Sequence, residues 1–325
     1  MQRLAIKLRP DLALQIQRAF LAIGDQLTDA QLRAFVRELS GDFSSSAQLG
    51  SFRTALNEAL DGSFAQVEAQ IFRTVSENVA FFSKELPMLG KRGGVVVSQF
   101  NILDPEVVPA IRALNTKVIE TLKGDVRETL RAFVENGLRD GKPPATIARQ
   151  VRSTIGLAPN QVDAVANFER MLRDGDLTAL NRKLRDKRFD RTLRKALGKG
   201  GTGLTDAQIE RMTAAYRKRF VAFNADTNAR TATLDALKLA KHESTKGAIK
   251  AGLLDPARMR SRWVNSGDGK VRDLHVEVNG EVVPFGQPFS TGEVIPGSSV
   301  FNCRCIKVDF QARNTPAQQI QARIA

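Results

Sequence analysis

The chain has 325 residues, of which 42% are hydrophobic and 26% are charged, and its formal net charge is +14. This composition excludes disorder as the default state, because it can supply buried cores for one large domain or for two to three ordinary ones. Two cysteines exclude a disulfide framework, and a single tryptophan and a single tyrosine exclude a stacking platform for single-stranded nucleic acid.

The beginning of the chain is not apolar enough for a membrane or secretory segment. Arg3, Lys7, Arg9 and Asp11 interrupt its apolar residues, and no window of about eighteen apolar residues follows elsewhere. We therefore predict no stable membrane span and expect synthesis in the cytosol. An amphipathic stretch at 11–24 fits a protein core, a partner or a lipid interface equally well, through Leu12, Ile16, Phe20 and Ile23.

Most of the first 255 residues are predicted to be helical. Two segments begin with a threonine that is followed three residues later by a glutamine, Thr28 with Gln31 and Thr205 with Gln208. This spacing is the capping-box pattern of a helix start. Between them, residues 88–103 combine a glycine-rich turn with β-branched residues and predict a linker or an edge strand.

A long helix is predicted to start at Asp104, which can cap it, with Pro105 in the first helical position. Its apolar residues recur at steps of three to five and form one stripe, which predicts core or subunit contact. Gly124 and Asp125 are the positions at which this helix could break. The stripe consists of Ile111, Leu114, Val118, Leu122, Val126, Leu130, Phe133 and Leu138.

The positive charge is concentrated in residues 181–199, NRKLRDKRFDRTLRKALGK. This stretch contains nine lysines and arginines but only two aspartates. A solvated helical face with ion pairs is one interpretation, and contact with DNA phosphates or another acidic surface is the one we favour. Zinc-finger and leucine-zipper patterns are absent, so binding should be independent of sequence and sensitive to salt. The candidate DNA-binding residues, with arginines at steps of three on the predicted helix, are Arg182, Lys183, Arg185, Arg188, Arg191, Arg194 and Lys195.

After about residue 262 the apolar period changes from that of a helix to that of a strand. Asn279 and Gly280 separate two alternating runs and predict a two-residue hairpin turn. In the last strand, alternation groups Ile306, Val308 and Phe310 on one face, predicted to be the core face. The opposite face then collects Cys303, Cys305, Lys307 and Asp309.

The two cysteines allow three chemistries. A Cys303–Cys305 disulfide would be strained, because α-carbons two apart in a strand lie about 6.6 to 7 Å apart. A metal site, with zinc as the candidate ion, would use both thiolates and His275, with His242 or Asp273 as a further partner. Two reduced thiols packed beneath a loop, with His275 hydrogen-bonded nearby, would need no ion.

These patterns together predict an α+β protein, predominantly helical in its N-terminal and middle regions, with a small β-rich C-terminal domain that contains a hairpin. The predicted boundaries are an N-terminal helical segment at 1–90, the linker or edge strand at 91–103, a helical middle region at 104–220, the C-terminal domain at 221–312 and a tail at 313–325.

The order of certain residues in the C-terminal region resembles the C-terminal domain of the phage Mu F-like minor head proteins, or phage head morphogenesis proteins. The resemblance covers about residues 140–310 and is most specific in SRWVNSGDGKVRDLHVEVNGEVVPF and FNCRCIKVDF. Ala232 departs from it, since the family usually has an acidic residue after Arg-Thr. The matching positions outside His275 and the cysteines include Trp263, Arg272, Asp273, Asn302, Arg304, Arg230 and Thr231.

The resemblance implies a virion component inside the capsid, near the portal, that influences packaging or ejection of the genome. Its implied partners are the portal protein, the major capsid or scaffold protein, double-stranded DNA and further copies of the chain. It implies no catalytic role. Two alternatives stay open: a metal-dependent nuclease or transferase delivered with the genome, with Asp273 and His275 as orienter and base, and an ejection protein that interacts with the membrane.

Overall fold

The computed structural model describes residues 2–40, 46–85, 88–89, 95–96 and 107–312, and it confirms the predicted α+β class: helices dominate, and a small antiparallel sheet lies near the C-terminus. The helices are α1 Gln2–Gln26, α2 Asp29–Leu39, α3 Ser46–Glu85, α4 Val107–Arg139, α5 Pro144–Val151, α6 Pro159–Arg173, α7 Asp190–Leu197, α8 Asp206–Lys250 and α9 Asp273–Glu277. The strands are β1 Met88–Leu89, β2 Val95–Val96, β3 Met259–Val264, β4 Val282–Pro284 and β5 Ile306–Gln311.

The chain divides into two compact units, each assembled from separate segments. The helical unit comprises the described residues of Pro10–Glu68 and Val118–Thr227. The C-terminal unit comprises those of Met1–Arg9, Ala69–Lys117 and Asn228–Ala325. The predicted domains are continuous along the chain, whereas four helices, α1, α3, α4 and α8, each contribute to both units.

The core of the helical unit is built from the apolar stripes of its helices. The stripe of α1, for which the sequence leaves several partners open, is buried within this unit, with Ile16 and Ile23 fully inaccessible. Phe20 meets Phe64 of α3 edge-to-face at 6.0 Å. Gly156, with φ 90°, lies against the Phe20 ring, and any side chain there would overlap it. These contacts show that the amphipathic stretch serves a core.

The predicted helix starts at Thr28 and Thr205 are confirmed. The Thr28 hydroxyl accepts a hydrogen bond from the Gln31 backbone, and the Gln31 side chain accepts one from Thr28. The same pair of bonds closes the start of α8. Helix α4 continues through Gly124 without a break, and the predicted start at Asp104 lies outside the described residues. No helix in the described part of the chain is long and apolar enough to cross a membrane.

The predicted hairpin at 271–285 is wrong. Residues 273–277 form the short helix α9, and the sheet has the order β4-β3-β5, with β3 antiparallel to both neighbours. Alternation places Leu274, Val276 and Val278 together, but Leu274 and Val276 are about half exposed. Helical spacing instead turns His275 and Val278 inward together, three residues apart.

The predicted core face of the last strand is also wrong, although the grouping of residues is right. In β5, Lys307 is buried and Val308 is 39% exposed. Register pairs Lys307 with Trp263 and Asp309 with Ser261, which places all four on the buried face of the sheet. The polar residues can be buried because they pair with each other and with α8, as described below.

Candidate metal centre

The centre of the C-terminal unit is Trp263 on β3, whose exposed fraction is 0%. Its ring meets the imidazole of His275 edge-to-face at 5.1 Å and the ring of Phe289 at 5.2 Å. Both cysteines pack in the same cluster. A bulky aromatic residue on the central strand therefore brings α9 and the loop before β5 to one place.

The loop that carries the cysteines is held by contacts on both sides. The Asn302 backbone has φ 58°, a left-handed conformation that asparagine tolerates, and its N–H donates to the Thr231 hydroxyl at 3.2 Å. Arg304 forms a bidentate ion pair with Asp268. Arg272 donates to the carbonyl of Phe301 at 2.7 Å. The arginine between the two cysteines thus points away from them and fixes the loop.

Three potential metal ligands converge beside Trp263. The Nδ1 of His275 lies 3.5 Å from the Sγ of Cys303 and 3.5 Å from the Sγ of Cys305. All three ligand atoms lie within 4.8 Å of one another, and each residue is about 3% exposed. The two cysteines are free thiols. This arrangement places the three side chains so that they could hold one metal ion.

A hydrogen bond between the two thiols favours the thiolate form of one of them. The pKa of Cys303 falls to about 5, mainly because the Cys305 thiol donates a hydrogen bond to it, with further support from the charges of Lys238 and His275. For the same reason the pKa of Cys305 is raised. Lys238 is buried on α8 and donates to the carbonyls of Pro296 at 2.9 Å and Cys303 at 3.4 Å. The buried ammonium group of Lys238 therefore lies close to Cys303, the more acidic of the two cysteines.

A second loop closes over Cys303. Burial opposes ionisation of Glu293, but hydrogen bonds from Ser299 and from the Gly297 backbone hold its pKa below its usual range. Gly297 has φ 78° and lies against the Cys303 side chain. The buried carboxylate organises the loop, and the glycine allows its close approach.

The two residues considered as further ligands lie elsewhere. Asp273 is exposed in the first turn of α9 and does not belong to the three-residue group. His242 stacks on Phe285, with its Nδ1 2.8 Å from the Nζ of Lys307. Burial, and then the charge of Lys307, lower the pKa of His242 to about 4, so its imidazole is neutral at pH 7. His242 therefore serves a separate polar network.

Comparison with protein-family models, with curated proteins and with solved structures finds no match to this chain. Its function is therefore inferred from the residues themselves. Of the motif positions, Trp263 contacts His275, and Arg272, Asn302 and Arg304 hold the cysteine loop. Arg230 is partly buried on α8, next to Thr231.

The prediction that the arginines of residues 181–199 lie at steps of three along one helix is wrong, because this stretch is not a single helix. It contains the 3-10 turn Lys187–Phe189 and helix α7. The Asp186 carboxylate caps that turn and pairs with Arg188 at 2.6 Å, which lowers the pKa of Asp186 to about 2. Arg185 pairs with Asp190 at 2.8 Å. The two aspartates thus direct the local fold and neutralise part of the charge.

The candidate DNA-binding residues consequently fall into two groups. Arg182 and Arg185 are partly buried, and Arg182 donates to the sulfur of Met171 at 3.4 Å. The exposed candidates are Lys183, Arg188, Arg191, Arg194 and Lys195. A contact with a DNA backbone would depend on the second group.

Three residues of the centre had no sequence signal that pointed to them. Lys238 and Gly297 approach Cys303 from segments 65 and 6 residues away in the chain, as their contact with one side chain shows. Glu293 lies in a loop whose composition indicates only a turn. Long-range packing alone identifies them.

Proposed function

We propose that this centre binds zinc. His275, Cys303 and Cys305 would supply three of the four ligands of a tetrahedral ion, with the fourth position left for a water, and the burial of all three residues favours a structural role. In a tetrahedral site, Zn–S bonds of about 2.3 Å and Zn–N bonds of about 2.05 Å put sulfur and nitrogen about 3.6 Å apart. The two separations of 3.5 Å match this value. One imidazole nitrogen makes one good hydrogen bond, so its equal distance to two sulfurs favours a shared ion. Metal binding would displace the remaining thiol proton.

The zinc content and zinc affinity of the parent chain and of variants test this site directly. Purified protein is expected to carry about one zinc ion per chain, and Cys303→Ser is expected to weaken binding by more than about 100-fold, because loss of an outer partner alone costs about 10–100-fold. Elemental analysis and chelator competition measure both. Asp273→Asn and His242→Gln are the matched controls and should retain the metal. Unchanged zinc content in Cys303→Ser would rule the site out.

We propose that the chain as a whole is a structural minor head protein of a tailed phage, inside the capsid at or near the portal. The observation that carries this is the convergence of the motif residues: Trp263, His275, Cys303 and Cys305 form one buried cluster, as a structural motif would require. The exposed basic residues of the stretch 181–199 suit contact with packaged double-stranded DNA. The chain's partners would be the portal and the major capsid or scaffold protein.

The proposal is tested on particles. Gradient-purified phage that encodes this chain is expected to contain it, protected from external protease until the head is opened. Quantitative mass spectrometry before and after osmotic rupture provides the measurement. Particles that lack the chain, or that carry it fully accessible to protease, would overturn the proposal.

DNA contact has its own test. Four charge reversals on the exposed basic residues should lower the slope of log affinity against log salt by about 3 to 4, because each phosphate contact contributes about 0.9. Binding of the full chain to unrelated duplexes at several salt concentrations measures this slope. The test variant combines Lys183→Glu, Arg191→Glu, Arg194→Glu and Lys195→Glu.

A control with the same change in net charge separates a local surface from general electrostatics. It reverses four exposed basic residues elsewhere in the helical unit: Arg33, Arg37, Arg127 and Arg139. This variant should retain most of the salt dependence. An equal loss in both variants, or no binding by the parent chain, would remove the DNA role.

The enzymatic alternative has less support. A nuclease or transferase would need its metal and base to reach a substrate, whereas His275, Cys303 and Cys305 are each about 3% exposed. Asp273, the residue that would orient His275, is on the surface. The buried donor set favours a structural ion.

A further inference from the structure

A polar cavity of about 460 Å³ lies within the helical unit, between α5, α6 and α8. Its volume falls in the range of about 300–1,000 Å³ that is typical of small-molecule sites. Neither the metal centre nor the basic stretch 181–199 contributes to its lining. It therefore requires its own explanation.

Two residues that line the cavity, Thr213 and Arg217, carry buried donor atoms. The hydroxyl of Thr213 and the Nε of Arg217 are inaccessible to solvent and have no hydrogen-bond partner among the described residues. Thr213 as a whole is only 3% exposed. Burial lowers the pKa of Arg217, and the charges of Glu169 and Glu210 partly oppose this shift. Such donors are costly to bury unless acceptor oxygens meet them.

Acidic residues of the lining supply the opposite charge. Arg173 is already neutralised there, by Glu169 at 3.1 Å and by Asp206 at 2.7 Å. Glu210 is exposed on the same face of α8 as Arg217, two helical turns away. The lining contains three carboxylates, of Glu169, Asp206 and Glu210, and two guanidinium groups, of Arg173 and Arg217. Because its net charge is negative, a dianion such as phosphate would be repelled.

We propose that this cavity binds a small zwitterion of the α-amino acid class. Its carboxylate accepts hydrogen bonds from Arg217 and Thr213. Its ammonium group faces Glu210 and Asp206. A ligand with both charges satisfies the buried donors without adding net charge to an acidic lining.

The test uses the full chain and a panel of the twenty standard amino acids. At least one is expected to bind with 1:1 stoichiometry in calorimetry and to raise the unfolding temperature as its concentration rises. Acetate and methylammonium, each of which has half of the ligand's charge pattern, should bind at least tenfold more weakly. Inorganic phosphate is the dianionic probe and should not bind.

Two variants locate the binding in the cavity. Thr213→Val, which keeps the side-chain shape, and Arg217→Gln should each weaken binding at least tenfold. Lys218→Met alters an exposed neighbouring charge and should leave affinity unchanged. A cavity that holds only water would leave the unfolding temperature unaffected by every probe, and that result overturns the proposal. Phosphate binding in place of amino acid binding overturns it as well.

Discussion

Replacing Lys307 by methionine is expected to destabilise the C-terminal unit by about 3–5 kcal/mol, the usual effect of leaving a buried charge without its partner. The Nζ of Lys307 lies 3.2 Å from the Asp309 carboxylate, and these side chains are 3% and 0% exposed. Ser261 and Thr245 also donate to Asp309, at 2.7 and 3.4 Å, but neither carries charge. The variant would therefore leave the buried Asp309 carboxylate without its ion-pair partner, with only the charge of Lys241 to offset it.

Urea unfolding followed by tryptophan fluorescence measures this effect in the relevant unit, because Trp263 is the only tryptophan of the chain. Lys270→Met, an exposed lysine in the same unit, should change stability by no more than about 0.5 kcal/mol. The double variant Lys307→Met with Asp309→Asn should recover part of the loss, since it removes both charges. If Lys307→Met alone is as stable as the parent, the ion pair between Lys307 and Asp309 does not stabilise the core.

Gly297→Ala is expected to cost about 2–5 kcal/mol, the sum of a left-handed backbone conformation and an overpacked contact. A Cβ at this position would lie 2.6 Å from the sulfur of Cys303 and still closer to its Cβ. The Cys303 side chain would have to leave its present position beside His275. The variant should therefore lose zinc affinity together with stability.

Gly292→Ala is the matched control for this prediction. Gly292 has φ 82°, similar to the 78° of Gly297, but a Cβ at this position would have no other atom within 4 Å among the described residues. It should lose only the backbone contribution of about 1–2 kcal/mol and keep its zinc. Equal losses in the two variants would show that the contact with Cys303 is unimportant.

Sequence patterns between residues close together in the chain were sufficient to predict much of the fold. The capping boxes at Thr28 and Thr205 need only residues three positions away, and the long stripe of α4 repeats over many turns. The cluster of His275 with the two cysteines was a candidate because these residue types are rare in the chain. Their equal distances to one imidazole nitrogen could not be read from spacing.

The errors arose where short segments depend on their surroundings. Five residues of alternating pattern, DLHVE, cannot separate a strand from one helical turn. Packing of His275 against Trp263 settled the choice in favour of a helix. In the basic stretch, Asp186 and Asp190 both form ion pairs, and Asp186 also caps a 3-10 turn. These contacts interrupt the expected helix.

The sequence by itself determined the class of this protein: a helical, basic chain with a small C-terminal sheet and one cluster of metal-ligating residue types. Only the tertiary structure decided that Lys307 and Asp309, and not Val308, lie on the buried face of β5. It also decided that Lys238 and Gly297 border Cys303. The physical reason is that the cost of burying a charge or crowding a thiol depends on partners distant in the chain, which local periodicity does not encode.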